Sequence, residues 1–319
     1  MRYLLYSMMV IFIVGCANDK QNLGVPSWYL NSPQNSSTSL YGEGEGYDKK
    51  ESINNALSSM SSKLIVSVKS IIDTTTTANS DQYYLKETTK NVVVEAKKIE
   101  FTNAKVYKIQ QVNGSIYTIM EVNRIELFDT KYNKFQTKHK SIQDRYNDIK
   151  RNSKMQQIKE LTALKPKLIS AQSKAILLNA INKSFDYEKY TSLYQSYINK
   201  IDKLKAKLVI KVASNHNREF FKDSMISALN TENYRVSSQN YDINIVLTNK
   251  IRYSKAMGWD IAKVATTISS RTSTKVLSTK IINTIGRSSS NKDNALNDAS
   301  RAFEEKIKNI GINNLLFEK

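Results

Sequence analysis

The sequence predicts an α+β protein in which two small domains, each a helix packed on an antiparallel sheet, are separated by a helical hairpin. Three observations predict this class. Asn113-Gly114 lies between two apolar runs, which is a strong signal for a β-hairpin. Residues 129–206 carry apolar side chains at helical spacing, and residues 259–285 alternate as paired strands do. Helices grouped apart from antiparallel strands are typical of α+β folds.

The chain begins with the pattern of an export signal. Arg2 precedes an apolar run from Leu4 to Val14, which is too short to cross a bilayer as a helix. Gly15 and Cys16 follow it, and together these residues resemble the lipobox of bacterial lipoproteins. The resemblance implies a signal peptide over residues 1–15, lipid attachment at Cys16 and a lipidated tether over residues 16–25. An ordinary signal peptide with a chance cysteine is the alternative.

The residue after the cysteine indicates the membrane to which a lipoprotein is transported. In lipoproteins at large, a residue other than Asp after the acylated cysteine implies transport to the outer membrane, and here that residue is Ala17. The prediction is a lipid-anchored protein of the bacterial outer membrane that faces the periplasm. Cys16 is the only cysteine, so the chain has no disulfide framework and, once Cys16 is acylated, no thiol chemistry.

The first domain is predicted over residues 26–128. Ser39 to Gly42 indicates a short strand, and Gly42, Gly44 and Gly46 indicate a close approach between strand and helix. Asp48 and Glu51 form a capping-box pattern at the start of a helix.

Strands are predicted after this helix. Residues 64–68 and 92–101 alternate between apolar and polar types, which is typical of half-buried strands. Val106 to Val112 and Ser115 to Val122 complete the sheet as a hairpin. The predicted order is one strand, one helix and three or four antiparallel strands.

Residues of this domain resemble a known family. Pro26-Ser-Trp-Tyr29, Tyr41-Gly42-Glu43-Gly44, a helix with Ala56 and the run Leu64 to Ser70 look like the Lpp-twenty family of outer-membrane lipoproteins, over roughly residues 24–128. The family includes surface antigens and lipoproteins that build disks around flagellar basal bodies. The resemblance implies a fold and a compartment, and no catalytic residue.

The middle segment, residues 129–206, is predicted to be a basic helical hairpin or linker in which Pro166 breaks or kinks the path. Four tyrosines are predicted to pack inside the hairpin, with a sugar-stacking or docking surface as the alternative: Tyr187, Tyr190, Tyr194 and Tyr197. The segment holds 17 Lys and Arg residues against 7 Asp and Glu residues. This excess indicates either an acidic partner, such as a cell-wall polymer, or solvated helix faces.

The last domain is predicted over residues 207–319 as strand, helix, four strands and helix, with the hairpin turn at Thr272-Ser273 and the last helix bounded by residues 290–293 and Gly311. This order loosely resembles the amino-terminal domains of TolB and of lipoproteins that activate peptidoglycan synthases. That likeness is one of fold alone.

No constellation for catalysis is present in the sequence. The two histidines, His139 and His216, fall in different predicted domains, and neither zinc motifs nor nucleophile elbows occur. Glu43 and Glu45 are predicted to lie in a flexible, solvated turn, with the binding of a cation as the alternative. Asp242 and Asp260 lie near strand ends without an evident partner. The prediction is that the protein is not an enzyme and has no catalytic residue, cofactor or metal.

Two functions follow. The first is a structural or assembly scaffold of the envelope, with a flagellar association left open, whose partners are the membrane, envelope proteins and copies of this chain. The second is a periplasmic binding or regulatory module that activates a cell-wall synthase or binds an acidic glycan. The formal net charge of +19 also suits nucleic acid, but that polymer is scarce in the periplasm and is not predicted as a partner.

Overall fold

The computed structural model describes residues 24–76, 82–215 and 219–317. The chain divides into two compact units. Unit 1 comprises Met1–Phe135 and Ser173–Tyr187, and unit 2 comprises Gln136–Gln172 and Glu188–Lys319. The predicted signal peptide and Cys16 lie outside the described residues.

Helices and strands alternate in groups along the described chain. The helices are α1 (Ser27–Leu30), α2 (Lys49–Thr76), α3 (Gln82–Lys97), α4 (Arg124–Ile149), α5 (Lys154–Ile181), α6 (Glu188–Lys205), α7 (Phe220–Thr231), α8 (Lys292–Ile310) and α9 (Ile312–Phe317). The strands are β1 (Ser39–Gly46), β2 (Ala104–Val112), β3 (Ser115–Asn123), β4 (Val209–Ser214), β5 (Arg235–Val236), β6 (Ile243–Ala256), β7 (Trp259–Arg271) and β8 (Val276–Ser288). Within the described ranges, no helix combines the length and the apolar character needed to cross a membrane.

Unit 1 is built on an antiparallel sheet with the strand order β1-β3-β2. The predicted hairpin is confirmed, because β2 and β3 pair around Asn113-Gly114, and both turn residues have positive φ. Helix α2 packs on β1 and β3. Its buried positions recur every four residues, as one face of a helix requires: Ala56, Met60, Leu64, Val68 and Ile72.

Two predicted strands are wrong. Residues 64–68 lie inside α2, and residues 92–97 lie inside α3. Leu64 and Val68 are buried while Val66 is 67% exposed. Apolar residues four positions apart fit one face of a helix and also one face of a strand, so the apolar pattern did not distinguish a helix from a strand. The β-branched residues in these segments favoured the strand.

The glycines of β1 bring the strand against the helix, as predicted. A Cβ atom at Gly42, Gly44 or Gly46 would lie closer than 3.0 Å to backbone atoms of α2. The capping prediction is also confirmed, because the Glu51 amide donates to Asp48 Oδ1 at 2.8 Å and Tyr47 N donates to Glu51 Oε2 at 2.8 Å. These contacts hold the start of α2 beside the end of β1.

The middle of the chain is helical, as predicted, and consists of α4, α5 and α6. The division between the two units falls inside both α4 and α5. Pro166 was predicted to break or kink the path, and a break does not occur, because α5 continues through it. In unit 1, Arg124 Nε and Nη2 donate to the carbonyls of Ile181 and Ala180, both at 2.8 Å, which satisfies the last turn of α5.

Unit 2 contains a five-stranded sheet with the order β5-β4-β6-β7-β8. Strand β4 runs parallel to β5 and β6, and β6, β7 and β8 are antiparallel. Helices α7, α8 and α9 pack against this sheet. Asn291 Oδ1 caps α8 by accepting from Asn294 N at 2.8 Å, and Gly311 ends it at φ 84°. The predicted element order and the α+β class are confirmed, although this sheet is mixed where an antiparallel one was predicted, because β4 is parallel to both of its neighbours.

Candidate functional site

Strand β2 is an edge strand that is exposed on both faces. Every side chain from Lys105 to Gln111 is exposed, and three of them are apolar or aromatic: Val106 at 41%, Tyr107 at 51% and Ile109 at 39%. Edge strands with such side chains are templates for pairing with another strand. We therefore treat β2 as the candidate interaction surface of unit 1.

The backbone of β2 also has pairing capacity. Val112 and Ser115 flank the two-residue turn, so they exchange ladder hydrogen bonds, and bonding to β3 then recurs at every second residue. The N–H and C=O groups of Ile109 and Gln111 consequently point away from β3. Within the part of the chain that the structure describes, no group bonds to them.

The other edge of this sheet, β1, is covered by side chains. Tyr41 N donates to Asn35 Oδ1 at 2.8 Å, and Lys63 Nζ donates to Tyr41 O at 2.9 Å. Asn55 Nδ2 donates to Glu45 O at 2.7 Å. A partner strand could not reach these groups without displacing three side chains, so β2 is the accessible edge.

An aromatic layer lies on the sheet of unit 1. Trp28 and Tyr29 of α1 meet edge to face at 6.1 Å, Tyr29 meets Tyr117 at 5.0 Å, and Tyr41 meets Tyr107 at 5.4 Å, all between ring centroids. We call these five residues the aromatic layer. Four of its rings pack edge to face on a neighbour from a different element, so the layer joins α1 to the strands.

Trp28 connects α1 directly to β2. Its Nε1 donates to Gln110 Oε1 at 2.9 Å, and Lys108 Nζ lies 5.4 Å from the ring centroid. Both contacts come from β2. The segment before β1 therefore holds β2 in place although β2 has no strand on its outer side.

The carboxylates beside the aromatic layer are already bonded. Tyr41 Oη donates to Glu121 Oε1 at 2.9 Å, and Tyr117 Oη donates to Glu45 Oε1 at 3.1 Å. The hydroxyls of Tyr41 and Tyr117 are thus satisfied within unit 1, which indicates a packing role for these two rings.

Glu43 is an ion-paired residue of the covered β1 edge. It accepts from Lys63 Nζ at 2.7 Å, from Ser32 Oγ at 2.5 Å and from Ser59 Oγ at 3.0 Å. Burial raises the pKa of its carboxyl, but the hydrogen bonds from Lys63 and the two serines outweigh it, so the pKa lies below the ordinary value. These donors occupy the oxygens that a cation would need.

The solvated turn predicted for Glu43 and Glu45 is wrong, because both residues lie in β1. They do share one side of the strand, but each is bonded to protein groups instead of facing its neighbour. Across the described residues, no group of three or more His, Cys, Asp and Glu side chains could hold a metal ion.

The candidate tyrosines of the middle segment pack inside their units. Tyr194 is fully buried, with its Oη 2.7 Å from His139 Nδ1, and Tyr197 stacks on Tyr146 at 3.6 Å between centroids. Burial, with a smaller contribution from Lys189, lowers the pKa of His139. Tyr190 meets the His139 ring edge to face, and Tyr187 packs against the core of unit 1. Packing, and not a sugar surface, is the observed role.

The remaining candidates are not brought together. Asp242 bonds Val209, with its Oδ2 accepting from Val209 N at 2.9 Å. Asp260 is 8% exposed, and its Oδ1 lies 4.0 Å from Lys255 Nζ. His216 and Cys16 lie outside the described residues. Sequence reasoning missed the full exposure of β2, since its alternating pattern is the same whether or not a helix covers it.

The comparisons with known proteins agree with the family predicted for the first domain. Residues 26–123 match the model of the LPP20 lipoprotein family, which confirms the predicted resemblance of residues 24–128 to the Lpp-twenty family. The match indicates a lipoprotein of the cell envelope. No curated protein matches the sequence.

Two solved structures are similar at low identity. The secreted protein HP1454 from the human pathogen Helicobacter pylori is 17% identical with a TM-score of 0.42, over 90% of this chain and 100% of that chain. A minor lipoprotein from Acinetobacter baumannii is 8% identical with a TM-score of 0.28, over 32% of this chain and 88% of that chain.

Proposed function

We propose that this chain is a non-enzymatic lipoprotein of the outer membrane that faces the periplasm. Acyl chains on Cys16 hold it there, and it acts as an assembly scaffold that joins envelope proteins, including copies of itself. The observation that carries the proposal is the open edge of β2. Its outward backbone groups and exposed apolar side chains suit the addition of a strand from another molecule.

Several features of unit 1 support strand addition at this edge. The opposite edge is covered by Asn35, Lys63 and Asn55, so only one side of the sheet accepts a strand. Trp28 fixes β2 from the side, which reduces the ordering that pairing would require. Lys105 and Lys108 place charges on the edge, and these restrict which strands can pair without repulsion.

Two substitutions at Ile109 distinguish assembly through backbone hydrogen bonds from assembly through apolar side-chain contact. Ile109→Pro removes an N–H that points away from β3, so the β2–β3 ladder keeps its hydrogen bonds. Ile109→Thr keeps that N–H and a β-branched side chain. In light scattering of the detergent-solubilised full chain, we expect assemblies larger than the monomer for the parent and for Ile109→Thr, and a monomer for Ile109→Pro. Circular dichroism checks that both variants remain folded.

Photo-crosslinking locates the contact in cells. Tyr107 and Tyr47 are both exposed tyrosines of unit 1, at 51% and 85%, and only Tyr107 lies on β2. A photoreactive phenylalanine at position 107 should give a crosslinked dimer of this chain, and the same group at position 47 should not. A strictly monomeric parent at every concentration, or equal crosslinking from both positions, would rule out the proposal.

A further inference from the structure

The hairpin of β6 and β7 in unit 2 ends in an exposed apolar tip. Met257 and Gly258 form its two-residue turn, with φ values of 50° and 80°. Met257 is 100% exposed, and Trp259, directly after the turn, is 47% exposed. We call these two side chains the tip cluster. Tyr253 lies further along β6 on the other face of the hairpin, where Lys292 Nζ is 5.6 Å from its ring centroid. Two large apolar side chains side by side at an exposed turn mark a contact site.

The backbone conformation of this turn does not explain why position 257 is a methionine. Asn113-Gly114 in unit 1 adopts nearly the same conformation, with φ values of 49° and 83°, and it uses the residue that tolerates the left-handed region best. Methionine has no such tolerance and makes no contact here that would offset the strain. The side chain at position 257 is therefore better explained by what it meets outside the chain.

The hairpin is strongly basic around its tip. Residues 243–271 contain five basic side chains and one acidic side chain, Asp260. That carboxylate is buried beside Lys255, so the surface potential of the hairpin is positive. Exposed cations lie near this end of the hairpin on β6, β7, β8 and the start of α8: Arg252, Lys255, Lys263, Arg287 and Lys292.

We propose that the tip cluster inserts into the interface of a bilayer that contains anionic lipids. Tryptophan favours the headgroup level, methionine reaches the acyl boundary, and the lysines and arginines meet the negative lipid surface. A protein groove could receive the apolar side chains, but it would have to be acidic over the length of both strands. This inference rests on the proposed location of the protein at the outer membrane. It adds a second contact with the membrane, which does not depend on acylation of Cys16.

The two tryptophans of the chain make the test direct. Trp28→Phe leaves Trp259 as the single tryptophan. The full chain with this substitution is mixed with vesicles of phosphatidylglycerol and acyl-brominated phosphatidylcholine, and the emission of Trp259 is recorded. We expect a blue shift and loss of emission through contact with bromine. Met257→Ser should weaken both effects, and so should Arg252→Ser combined with Lys255→Ser.

A matched control uses the other hairpin of the same sheet. Trp28→Phe, Trp259→Phe and Ser273→Trp together place the single tryptophan at the exposed β7–β8 turn. This tryptophan should keep its emission in the same vesicles. Equal quenching at positions 259 and 273, or quenching of Trp259 that is unchanged without phosphatidylglycerol, overturns the proposal. A blue shift that depends on protein concentration without lipid assigns the tip to a second copy and also overturns it.

Two measurements distinguish loss of the lipid anchor at Cys16 from loss of membrane contact by the tip cluster. Sedimentation of the vesicles reports attachment of the whole chain, whereas quenching reports contact by position 259. A chain that sediments with an unquenched Trp259 has its anchor and lacks the proposed contact. A chain without its anchor should still show quenching of Trp259 at low ionic strength, where attraction to the lipid surface is strongest.

Discussion

Two glycines in different units bring a strand against the backbone of a helix. A Cβ atom at Gly44 of β1 would lie closer than 3.0 Å to backbone atoms of Ser52 and Ala56, and one at Gly286 of β8 would meet Ala295 and Ala299 in the same way. The atoms that a side chain would meet belong to helix backbone, which cannot move aside as a flexible side chain can. The absence of a side chain at these positions therefore sets the distance between helix and sheet.

Gly44→Ala should strongly destabilise unit 1. Because the added methyl group overlaps the backbone of α2, we expect the free energy of unfolding to fall by at least about 2 kcal/mol, toward the upper part of the range for overpacked cores. Denaturant unfolding of the intact chain, followed by circular dichroism, measures the change. Tyr47→Ala, at a site 85% exposed and three residues away, is the control and should change stability by under about 0.5 kcal/mol. Equal effects of the two substitutions would contradict this account.

The sequence predicted the role of Gly44, because Gly42, Gly44 and Gly46 are spaced by two residues and so share one face of a strand. It did not predict the same role for Gly286. It did not predict the tip cluster or the exposure of β2. Whether Ile109 is buried depends on where helices from elsewhere in the chain end, and no local pattern contains that information. The local turn signal at Asn113-Gly114 was sufficient, whereas the turn at Met257-Gly258 lacks the usual residue and was missed.

At the scale of whole elements, the helices that replaced predicted strands show why period alone was insufficient. In α3, Val92 and Ala96 are fully buried and Val94 is 39% exposed, so the buried positions are four apart. The sequence pattern of alternate small apolar residues fits this helix and a strand equally well. Packing against α2 decides for the helix, which is a tertiary contact overriding β propensity.

Pro166 is an element-scale feature whose cost can be measured. It lies inside α5 and is exposed, so its ring contributes little packing, while its missing N–H leaves the carbonyl of Thr162 without the normal helical bond. Pro166→Ala should raise the free energy of unfolding by up to about 3 kcal/mol, since it restores that bond. Thermal unfolding of the intact chain checks the change, with Lys167→Ala as an exposed control in the same turn. A lower midpoint for Pro166→Ala would show that α5 needs the proline.

On the scale of the whole molecule, the proposed function depends on attachment to the envelope at the amino terminus. The family match covers residues 26–123 and indicates a lipoprotein, and the described helices give no span that crosses a membrane. The tip cluster would add a second, weaker attachment. These two attachments differ in their physical chemistry, because acyl chains bind through burial of CH₂ groups and the tip binds largely through charge.

Cys16→Ala should therefore convert firm attachment into attachment that salt removes. Each buried CH₂ contributes about 0.8 kcal/mol, so two or more acyl chains resist a high-salt wash, whereas attraction between lysines and lipid is screened by it. In fractionated cells, we expect the parent and Asn18→Ala to stay with the outer membrane after the wash. Cys16→Ala should be released, and Cys16→Ala combined with Met257→Ser should be released even at low salt. If Cys16→Ala resists the high-salt wash as the parent does, acylation at Cys16 is not what holds this protein.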